Sequence, residues 1–212
     1  MLATADVMGR ECKDKAGLLA TIDMFREFSR EQNCGDAPYR FESSHHRFMY
    51  AAGRKPLDYV PYDNTWGEVI LMCGVPGSGK SSEAEKRSNE TVPILSLDDF
   101  REKMKISPED NQGAVVEACE AEALKLLRAK KPFIWDGTNV FRDVRSSLVA
   151  MFAKYAASVR IVYVEAPSWQ EMLTRNQERE RSVPTAVVTR LAERLDMPSI
   201  NEAHEVDYVV SL

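Results

Sequence analysis

The feature that most constrains this chain is a glycine-rich run with a lysine and serines, Gly74-Val-Pro-Gly-Ser-Gly-Lys-Ser-Ser82. An apolar run, Glu68-Val-Ile-Leu-Met-Cys73, comes directly before it, and helix-forming residues, Ser82-Glu-Ala-Glu-Lys-Arg87, follow it. The glycine-rich run fills every fixed position of G-x-x-x-x-G-K-[ST] from Gly74 to Ser81. The order strand, glycine loop, helix is the one that this motif requires.

Phosphate is the ligand that such a loop suits. Glycines allow backbone conformations closed to other residues, so amide N–H groups can face inward at the positive end of a helix. Lys80 is predicted to reach the β- and γ-phosphates of a nucleotide, and the Ser81 hydroxyl to bind Mg²⁺. The other loop residues predicted to contact the nucleotide are Gly74, Pro76, Gly77, Ser78, Gly79 and Ser82. A plain strand-to-helix turn is the alternative, but the complete motif favours ATP or another nucleoside triphosphate with Mg²⁺.

Length and composition limit the class of protein. A chain of 212 residues with 44% hydrophobic and 29% charged residues is typical of one soluble α/β domain with an appended segment. No apolar run approaches the roughly 18 residues of a membrane span, and we expect no secretion signal and no membrane partner. Scattered cysteines without metal-type spacing favour reduced thiols and a cytoplasmic location. The net charge of −5 does not indicate a nucleic-acid binder, although a local basic groove can act within an acidic protein.

From Glu68 onward, short apolar runs alternate with helical stretches. The predicted strands are Val69–Cys73, Pro93–Leu97, Pro132–Asp136, Arg160–Val164 and Tyr208–Leu212. The predicted helices cover about Lys80–Asn89, Glu109–Lys130, Val140–Ala156, Ser168–Arg179 and Pro184–Leu195. This rhythm predicts an α/β fold with a parallel sheet of about five strands and helices on both faces.

Residues 1–67 differ in character from the rest of the chain. Apolar residues at helical spacing predict a helix over Leu18–Glu31, whereas Asn33–Asn64 is rich in Gly, Pro and Asp and is predicted to be irregular. We expect this mostly helical and irregular segment, 1–67, to pack on a core domain formed by 68–212. For His45 and His46, ordinary packing is favoured over a role above the substrate.

The second predicted strand ends in Leu95-Ser-Leu-Asp-Asp-Phe-Arg101. If a helix begins there, Asp98 and Arg101 share one face of it. The carboxyl ends of strands line the ligand crevice of α/β sheets, so Asp98 could accept a proton from a hydroxyl and Arg101 could bind a phosphate. A helix-capping Asp with a solvated Arg is the alternative, and the spacing does not decide between the two.

The third predicted strand ends in Phe133-Ile-Trp-Asp-Gly-Thr-Asn139. A carboxylate in the place of Asp136 commonly holds Mg²⁺, directly or through water, while an Asp-Gly turn is the alternative. No acidic residue directly follows Asp136 and no Asn-Lys-x-Asp run occurs, which excludes two signatures of nucleotide hydrolases. The pattern therefore favours phosphoryl transfer to a substrate.

The last signature is Arg175-Asn-Gln-Glu-Arg-Glu-Arg-Ser-Val-Pro184. Arg175 and Arg179 lie on one helix face, and guanidinium groups there could neutralise charge on a transferring phosphate. Glu178 and Glu180 leave a salt-bridged, solvated helix as the alternative. We expect Arg179 to act in catalysis and Arg175 to contact the nucleotide.

These residues, in this order, resemble the P-loop polynucleotide 5′-kinase family, the kinase modules of bacteriophage and bacterial RNA-repair enzymes. The resemblance rests on Gly74–Ser81, Asp98-x-x-Arg101, Asp136-Gly-Thr-Asn139 and Arg175-Asn-x-x-Arg179. It implies a P-loop NTPase-type sheet with Lys80 on the phosphates and with Ser81 and Asp136 at the metal. By the same resemblance, Asp98 is the general base on a 5′-hydroxyl, Arg101 contacts a 3′-phosphate of the acceptor, and Arg179 is a lid arginine on the donor phosphates.

Two further stretches narrow the resemblance to bacterial kinases fused to an HD-type metal phosphohydrolase. They are Ser107-Pro-Glu-Asp-Asn-Gln-Gly113 and Tyr39-Arg-Phe-Glu-Ser-Ser-His-His-Arg-Phe48. This chain departs from that arrangement, because its three histidines form no His-Asp pair. The resemblance therefore implies kinase activity alone. Two alternatives stay open: separate phosphatase or ligase partners, or a chain that is an excised kinase module.

Three functions stay open at this point. The leading hypothesis is ATP-dependent phosphorylation of 5′-hydroxyl ends of nucleic acid, with RNA favoured over DNA alone. A kinase of a small hydroxyl-bearing metabolite would share the loop, Asp98 and the arginine segment. A non-catalytic nucleotide switch that presents residues 1–67 to a partner is the third.

Overall fold

A computed structural model describes residues 2–35, 37–107, 110–179 and 181–211 of the chain. The chain divides into two compact units, Met1–Glu42 and Ser43–Leu212. Four residues that belong to predicted motifs or elements lie outside the described ranges: Pro108, Glu109, Glu180 and Leu212.

The first unit contains two helices, α1 (Leu2–Gly9) and α2 (Lys15–Glu31). Helix α2 begins after Asp14, whose carboxylate accepts a hydrogen bond from the Gly17 N–H at 3.0 Å. It contains the predicted helix Leu18–Glu31. Helix α1 has no counterpart among the predicted elements, because its sequence carries no apolar stripe at helical spacing.

The second unit contains the sheet and the remaining helices. In chain order its elements are α3 (Ser44–Ala51), β1 (Glu68–Cys73), α4 (Lys80–Arg87), β2 (Ile94–Ser96), α5 (Leu97–Met104), α6 (Gly113–Arg128), β3 (Phe133–Asp136), α7 (Arg142–Lys154), β4 (Ser158–Glu165), α8 (Trp169–Glu178), α9 (Thr185–Glu193) and β5 (Glu205–Val210). Across the described part of the chain, every helix is too short or too polar to cross a membrane.

The strands form one parallel sheet in the order β2-β3-β1-β4-β5. This confirms the predicted α/β fold with about five parallel strands. The order places β3 between β1 and β2, with Leu71 of β1 opposite Trp135 of β3 and Ser96 of β2 opposite Asp136. Because parallel strands end at the same edge, the segments that follow β1, β2 and β3 lie side by side.

The side chains of β1 alternate between the two faces of the sheet. Val69 and Leu71 belong to an apolar cluster that includes residues of α6 and α7. Ile70 and Met72 belong to a second cluster, with Ala84 of α4. Helices therefore cover both faces, which is why the strands of this sheet are apolar on both sides.

The predicted irregular segment Asn33–Asn64 contains a helix, α3. Its N-cap is Ser43, whose hydroxyl accepts from the His46 N–H at 3.1 Å, and its Phe48 is buried in the larger cluster. The local sequence did not predict this helix, and the burial of Phe48 in the core is what stabilises it. The boundary between the compact units consequently falls after Glu42 and not at 67/68.

The bounds of most elements also differ by a few residues from those predicted, and the differences at β2 and β5 have a visible cause. Strand β2 ends at Ser96, whose hydroxyl accepts from the Asp99 N–H at 3.3 Å and so starts α5 at Leu97. Strand β5 begins at Glu205, before the predicted Tyr208. The prediction followed the apolar residues and therefore left out Glu205 and Asp207. In the structure Asp207 accepts hydrogen bonds from Arg87 and Arg160, which accounts for a polar residue within the strand.

Candidate active site

The glycine loop turns from β1 into α4 with little room for side chains. Gly79, the residue before α4, has φ +95°, and a Cβ there would lie 2.5 Å from Ser211 Oγ. Gly77 has φ +83°, and a Cβ there would lie 2.3 Å from the Met172 carbonyl oxygen. Both positions therefore require glycine, both for the backbone conformation and for the space.

Lys80 is the first residue of α4 and its side chain is buried. Its ammonium group donates to the Val75 carbonyl oxygen at 3.0 Å. Burial lowers the pKa of Lys80 to about 8, although Asp136 acts in the opposite direction. A bound polyphosphate would supply the negative charge that this desolvated ammonium group lacks.

Ser81 and Asp136 meet where β1 and β3 end. The Ser81 hydroxyl donates to Asp136 Oδ2 at 3.1 Å. Burial raises the pKa of Asp136, while Lys80 and the Ser81 hydrogen bond act to lower it. A hydroxyl and a carboxylate are hard oxygen donors, so the pair fits Mg²⁺ shared with a phosphate. Among the described residues, no group of three or more His, Cys, Asp and Glu could hold a metal by itself.

Asp98 lies in the first turn of α5 between two guanidinium groups. Its Oδ1 accepts a hydrogen bond from Arg101, and its Oδ2 lies 3.7 Å from Arg179 Nη2. Arg101 also donates from Nε to Gln112 Oε1 at 2.7 Å. The predicted pair of Asp98 and Arg101 is thus in contact, and Arg179, the extended residue that follows α8, joins it. The predicted placement of Arg175 and Arg179 on one helix face is therefore wrong, because the helix ends at Glu178.

Two clefts meet at this edge of the sheet. The first, which we call the loop cleft, has a volume of about 500 Å³ and is lined by Gly77, Gly79, Lys80, Ser81, Ser82, Lys86, Arg175, Glu178, Arg179 and Ser211. The second, the Asp98 cleft, has a volume of about 370 Å³ and is lined by Ser81, Glu85, Ile94, Ser96, Asp98, Asp99, Asp136, Arg179 and Arg181. Ser81 and Arg179 belong to both clefts. A group transferred from one cleft to the other would pass between them.

The predicted nucleotide contacts separate into two sets. Gly77, Gly79, Lys80, Ser81, Ser82 and Arg175 line the loop cleft. Gly74, Pro76 and Ser78 are buried and do not line it. Arg101 lines neither cleft, although it contacts Asp98. Nucleotide contacts by the three buried loop residues stay a prediction, as does a substrate contact by Arg101.

Arg175 is held to the loop and not to Glu178. Its Nε donates to Glu171 Oε1 at 2.8 Å, and its Nη1 donates to Ser211 Oγ at 2.7 Å. The Ser211 hydroxyl in turn donates to the Ser78 carbonyl oxygen at 2.7 Å. These contacts connect α8 to the glycine loop through Ser211. In the alternative interpretation, a solvated helix with internal salt bridges, Arg175 would make no such contact with the rest of the protein.

Asn176 and Asn139 are polar residues that sequence reasoning did not select as site residues. The Asn176 side chain is buried and bonds both the N–H and the carbonyl of Val183, closing the segment that carries Arg179. Asn139 donates to the Met72 carbonyl oxygen at 2.8 Å and ties the loop after β3 to β1. Asn139 stands in the Asp136-Gly-Thr-Asn139 run, so the motif itself was a signal for it.

Arg145 and Glu202 form a buried ion pair that no sequence motif indicated. The Arg145 side chain is fully buried, its Nε donates to Glu202 Oε2 at 2.7 Å, and its Nη1 donates to the Val140 carbonyl oxygen at 2.9 Å. This ion pair holds the loop after β3 in place. Since the two residues are far apart in the sequence, no local pattern could have indicated it.

Two curated proteins are similar to this chain in sequence. Human heterogeneous nuclear ribonucleoprotein U-like protein 2 is 27% identical over 147 residues, which cover 62% of this chain and 20% of that protein. The L-seryl-tRNA(Sec) kinase of Methanococcus maripaludis is 24% identical over 144 residues, covering 65% of this chain and 56% of that protein. The chain thus spans about a fifth and just over half of the lengths of these relatives.

A solved structure shares the architecture. One chain of the Pnkp1/Rnl/Hen1 RNA repair complex superposes with a TM-score of 0.55 and 19% identity over 66% of this chain and 47% of that one. The likeness shows that this chain has a P-loop kinase-like fold. The family profile described as "AAA domain" matches residues 69–198, from β1 to the segment before β5. The chain therefore belongs to the AAA-domain family.

Proposed function

We propose that the protein transfers the γ-phosphoryl group of ATP to the 5′-hydroxyl end of nucleic acid, with RNA favoured over DNA alone. The observation that carries the proposal is the position of Asp98. Its carboxylate lines a cleft that shares Ser81 and Arg179 with the loop cleft. A hydroxyl held beside Asp98 would face a triphosphate held by the glycine loop.

The proposed mechanism follows from the residues around the two clefts. The loop backbone and Lys80 hold the β- and γ-phosphates, and Asp98 accepts the proton of the attacking hydroxyl. The bond between that oxygen and the γ-phosphorus forms as the bond to the β–γ bridging oxygen breaks, which leaves ADP and a phosphorylated 5′ end. Arg179 neutralises charge that develops on the transferring group.

Ser81 and Asp136 are the residues that would hold Mg²⁺, directly or through water. Bound there, the ion would neutralise negative charge on the phosphates of the nucleotide. Arg175 is proposed to act through the loop, because its guanidinium group bonds Ser211, which bonds the Ser78 carbonyl.

The choice of a nucleic-acid acceptor has support of two kinds. The relative from Methanococcus maripaludis is named for a seryl-tRNA kinase activity, and a structural neighbour belongs to an RNA repair complex. Arg101 contacts Asp98 but lines neither cleft, so its contact with a phosphate of the acceptor strand is itself part of the proposal.

One observation favours a different acceptor. The Asp98 cleft is lined by four carboxylates, Glu85, Asp98, Asp99 and Asp136, against two arginines. Excess negative charge disfavours a polyanion and favours a neutral or amine-bearing hydroxyl compound. A kinase of a small metabolite is therefore the second candidate function.

A panel of acceptors separates these candidates. The protein is incubated with Mg²⁺, γ-labelled ATP or GTP, and one of the following: a 5′-hydroxyl RNA oligonucleotide, the same sequence in DNA, a 3′-phosphorylated nucleoside, seryl-tRNA, or a set of sugars and amino alcohols. We expect the RNA to be labelled fastest. Preferential labelling of a small compound would favour the second candidate. Nucleotide binding without transfer to any acceptor would leave only the non-catalytic switch.

The Asp98→Asn variant tests the proposed base. We expect it to lose transfer to every acceptor while nucleotide binding is unchanged, because Asn keeps the shape but accepts no proton. Asp143→Asn, an exposed Asp in the first turn of α7 and outside both clefts, is the matched control and should retain transfer. Wild-type turnover by Asp98→Asn would refute the assignment.

A further inference from the structure

A second pocket lies at the edge of the sheet opposite the glycine loop. It has a volume of about 440 Å³ and is bounded by the chain before β4 and by the segment between α3 and β1. His204, which lines it, accepts from the N–H of Val159 near the start of β4. The glycine loop follows the far end of β1, so six strand residues at about 3.3 Å each put the pocket roughly 20 Å from that loop. We call it the tyrosine pocket.

Three cations line the tyrosine pocket: Arg54, Lys55 and Lys154. None of its lining residues is a carboxylate, and within the described ranges none of the three cations forms an ion pair. Elsewhere in this acidic protein arginines are commonly paired, as Arg160 is with Glu68 and Asp207. Helices α3 and α7 end near the pocket, and each terminus contributes a charge of about −0.5. Asp63 adds a negative charge next to the pocket, since it accepts from Thr65 Oγ1 at 2.8 Å and lies 3.9 Å from His45 Nδ1. A net charge of about +1 remains, which attracts an anion.

Aromatic rings form the rest of the wall. Tyr62 is 87% exposed and Tyr59 is half exposed, which leaves ring faces open to solvent. Lys55 Nζ lies 4.5 Å from the centre of the Tyr59 ring, and Arg54 lies 5.7 Å from the centre of the Phe48 ring. Cationic groups and aromatic faces therefore alternate within one concave surface, an arrangement that suits a planar base carrying a phosphate.

The floor of the pocket is formed by two imidazole rings, those of His45 and His204. His204 Nδ1 accepts from the Val159 N–H at 3.1 Å, so the proton of this imidazole is on Nε2. That Nε2 donates to His45 Nδ1 at 3.2 Å. The two rings are thereby held in a fixed orientation, which gives the pocket a preformed wall, and the attraction of an anion comes from the three cations.

We propose that the tyrosine pocket binds a nucleotide unit, either a free mononucleotide or one nucleotide of a single strand. The base stacks on Tyr62 and Tyr59, and the phosphate lies among Arg54, Lys55 and Lys154. A volume of about 440 Å³ falls within the range of about 300–1,000 Å³ typical of small-ligand sites. The proposal does not depend on the proposed kinase activity, since no residue is shared with the two clefts.

Binding is measured on the full chain with saturating ADP and Mg²⁺, so that the glycine loop is occupied. One arm uses a short fluorescent single-stranded RNA with a 5′-phosphate, followed by anisotropy, and the other uses AMP, followed by calorimetry. The variants are Tyr62→Ala, Lys55→Glu and Lys154→Glu. Lys125→Glu, an exposed lysine of α6 outside the pocket, is the matched control for charge.

We expect Tyr62→Ala to weaken binding about fivefold or more, because it removes a stacking surface. Lys154→Glu should reduce the slope of log affinity against log salt by about 0.7 for the RNA, the value for one lost phosphate contact. Lys125→Glu should bind as the wild type does. AMP binding that is lost in the variants would identify a free nucleotide as the ligand, and loss with the RNA alone would identify a strand.

Two results would overturn the proposal. One is that neither probe binds the wild type once ADP occupies the loop, and the other is that the pocket variants bind as tightly as Lys125→Glu. Tyr62 is so exposed that its truncation will not unfold the protein. The Tyr62→Ala variant therefore tests nucleotide binding by the pocket even if a lysine variant is unstable. Lys80→Ala should leave this binding intact while abolishing transfer, which keeps the two proposals separable.

Discussion

Arg179 lies 3.7 Å from Asp98, measured from Nη2 to Oδ2, and the contact joins the end of α8 to the first turn of α5. Because Arg179 lines both clefts, it stands where a nucleotide and a second substrate would adjoin. The contact also brings a fixed positive charge to the carboxylate that we propose as the base. It is the geometric link between the glycine loop and the rest of the proposed machinery.

The first prediction concerns this arginine. Arg179→Ala should lower kcat about a hundredfold or more, because a charge that stabilises the transferring phosphoryl group is lost. Arg179→Lys should recover only part of the loss, since a lysine lacks the planar fork of donors. Steady-state kinetics with the best acceptor measures both. Arg190→Ala, on α9 and outside both clefts, is the control, and a similar kcat for Arg179→Ala and Arg190→Ala would contradict the role.

The second prediction concerns the pH dependence of nucleotide binding. Burial lowers the pKa of Lys80 to about 8 in the free protein, and bound phosphates must raise it again. Above about pH 8, binding therefore takes up a proton, and the affinity for ADP should fall by at most about tenfold per pH unit. Calorimetry across this range measures the fall. Lys80→Arg stays charged and should show a flat profile, so an equal slope in this variant would rule out Lys80 as the titrating group.

The third prediction concerns the glycine before α4. Gly79→Ala should remove nucleotide binding and lower stability by about 1–2 kcal/mol, because φ is +95° and the new Cβ would lie 2.5 Å from Ser211 Oγ. Gly67→Ala, just before β1, is the matched control, since a Cβ there meets no atom within 4 Å. Thermal unfolding and ADP titration of both variants test it. Equal behaviour of the two variants would show that the loop tolerates a side chain.

The fourth prediction concerns stability at low pH. Burial lowers the pKa of His204 to about 4 from 6.5, with further lowering by His45, Arg47 and Arg54 and an opposing effect of Asp63. Between pH 4 and 6.5 the unfolded chain therefore binds more protons at this site than the folded protein does. The free energy of unfolding should therefore rise with pH across this window. The total rise due to His204 is about 3 kcal/mol and is complete above pH 6.5.

His204→Asn serves as the test variant, because Asn cannot be protonated in this range. The free energy of unfolding is measured in urea at several pH values for both proteins. The wild type should lose stability more steeply than His204→Asn as the pH falls from 6.5 to 4. Parallel pH profiles would show that His204 is not responsible.

Much of the site could be predicted from short stretches of sequence. The glycine loop, Asp98 and Asp136 each follow an apolar run, and in a parallel sheet the carboxyl ends of strands meet at one edge. Their proximity could thus be expected before the structure was known, as the 3.1 Å contact between Ser81 and Asp136 illustrates. Helix α3 was missed because the cue for it is the burial of Phe48, which is a property of the fold and not of the neighbouring residues.

By itself the sequence determined the glycine loop, the parallel α/β class and the two carboxylates at the strand ends, Asp98 and Asp136. These features depend on adjacent residues: apolar runs that form buried strands, glycines that allow the loop conformation, and residues that start helices. Only the tertiary structure decided that β3 lies between β1 and β2, that Arg101 contacts Asp98 without lining a cleft, and that Arg145 is buried against Glu202. The tyrosine pocket also arises at this level, from segments as distant as Lys55 and His204. Such contacts depend on strand order and long-range packing, which no local pattern encodes.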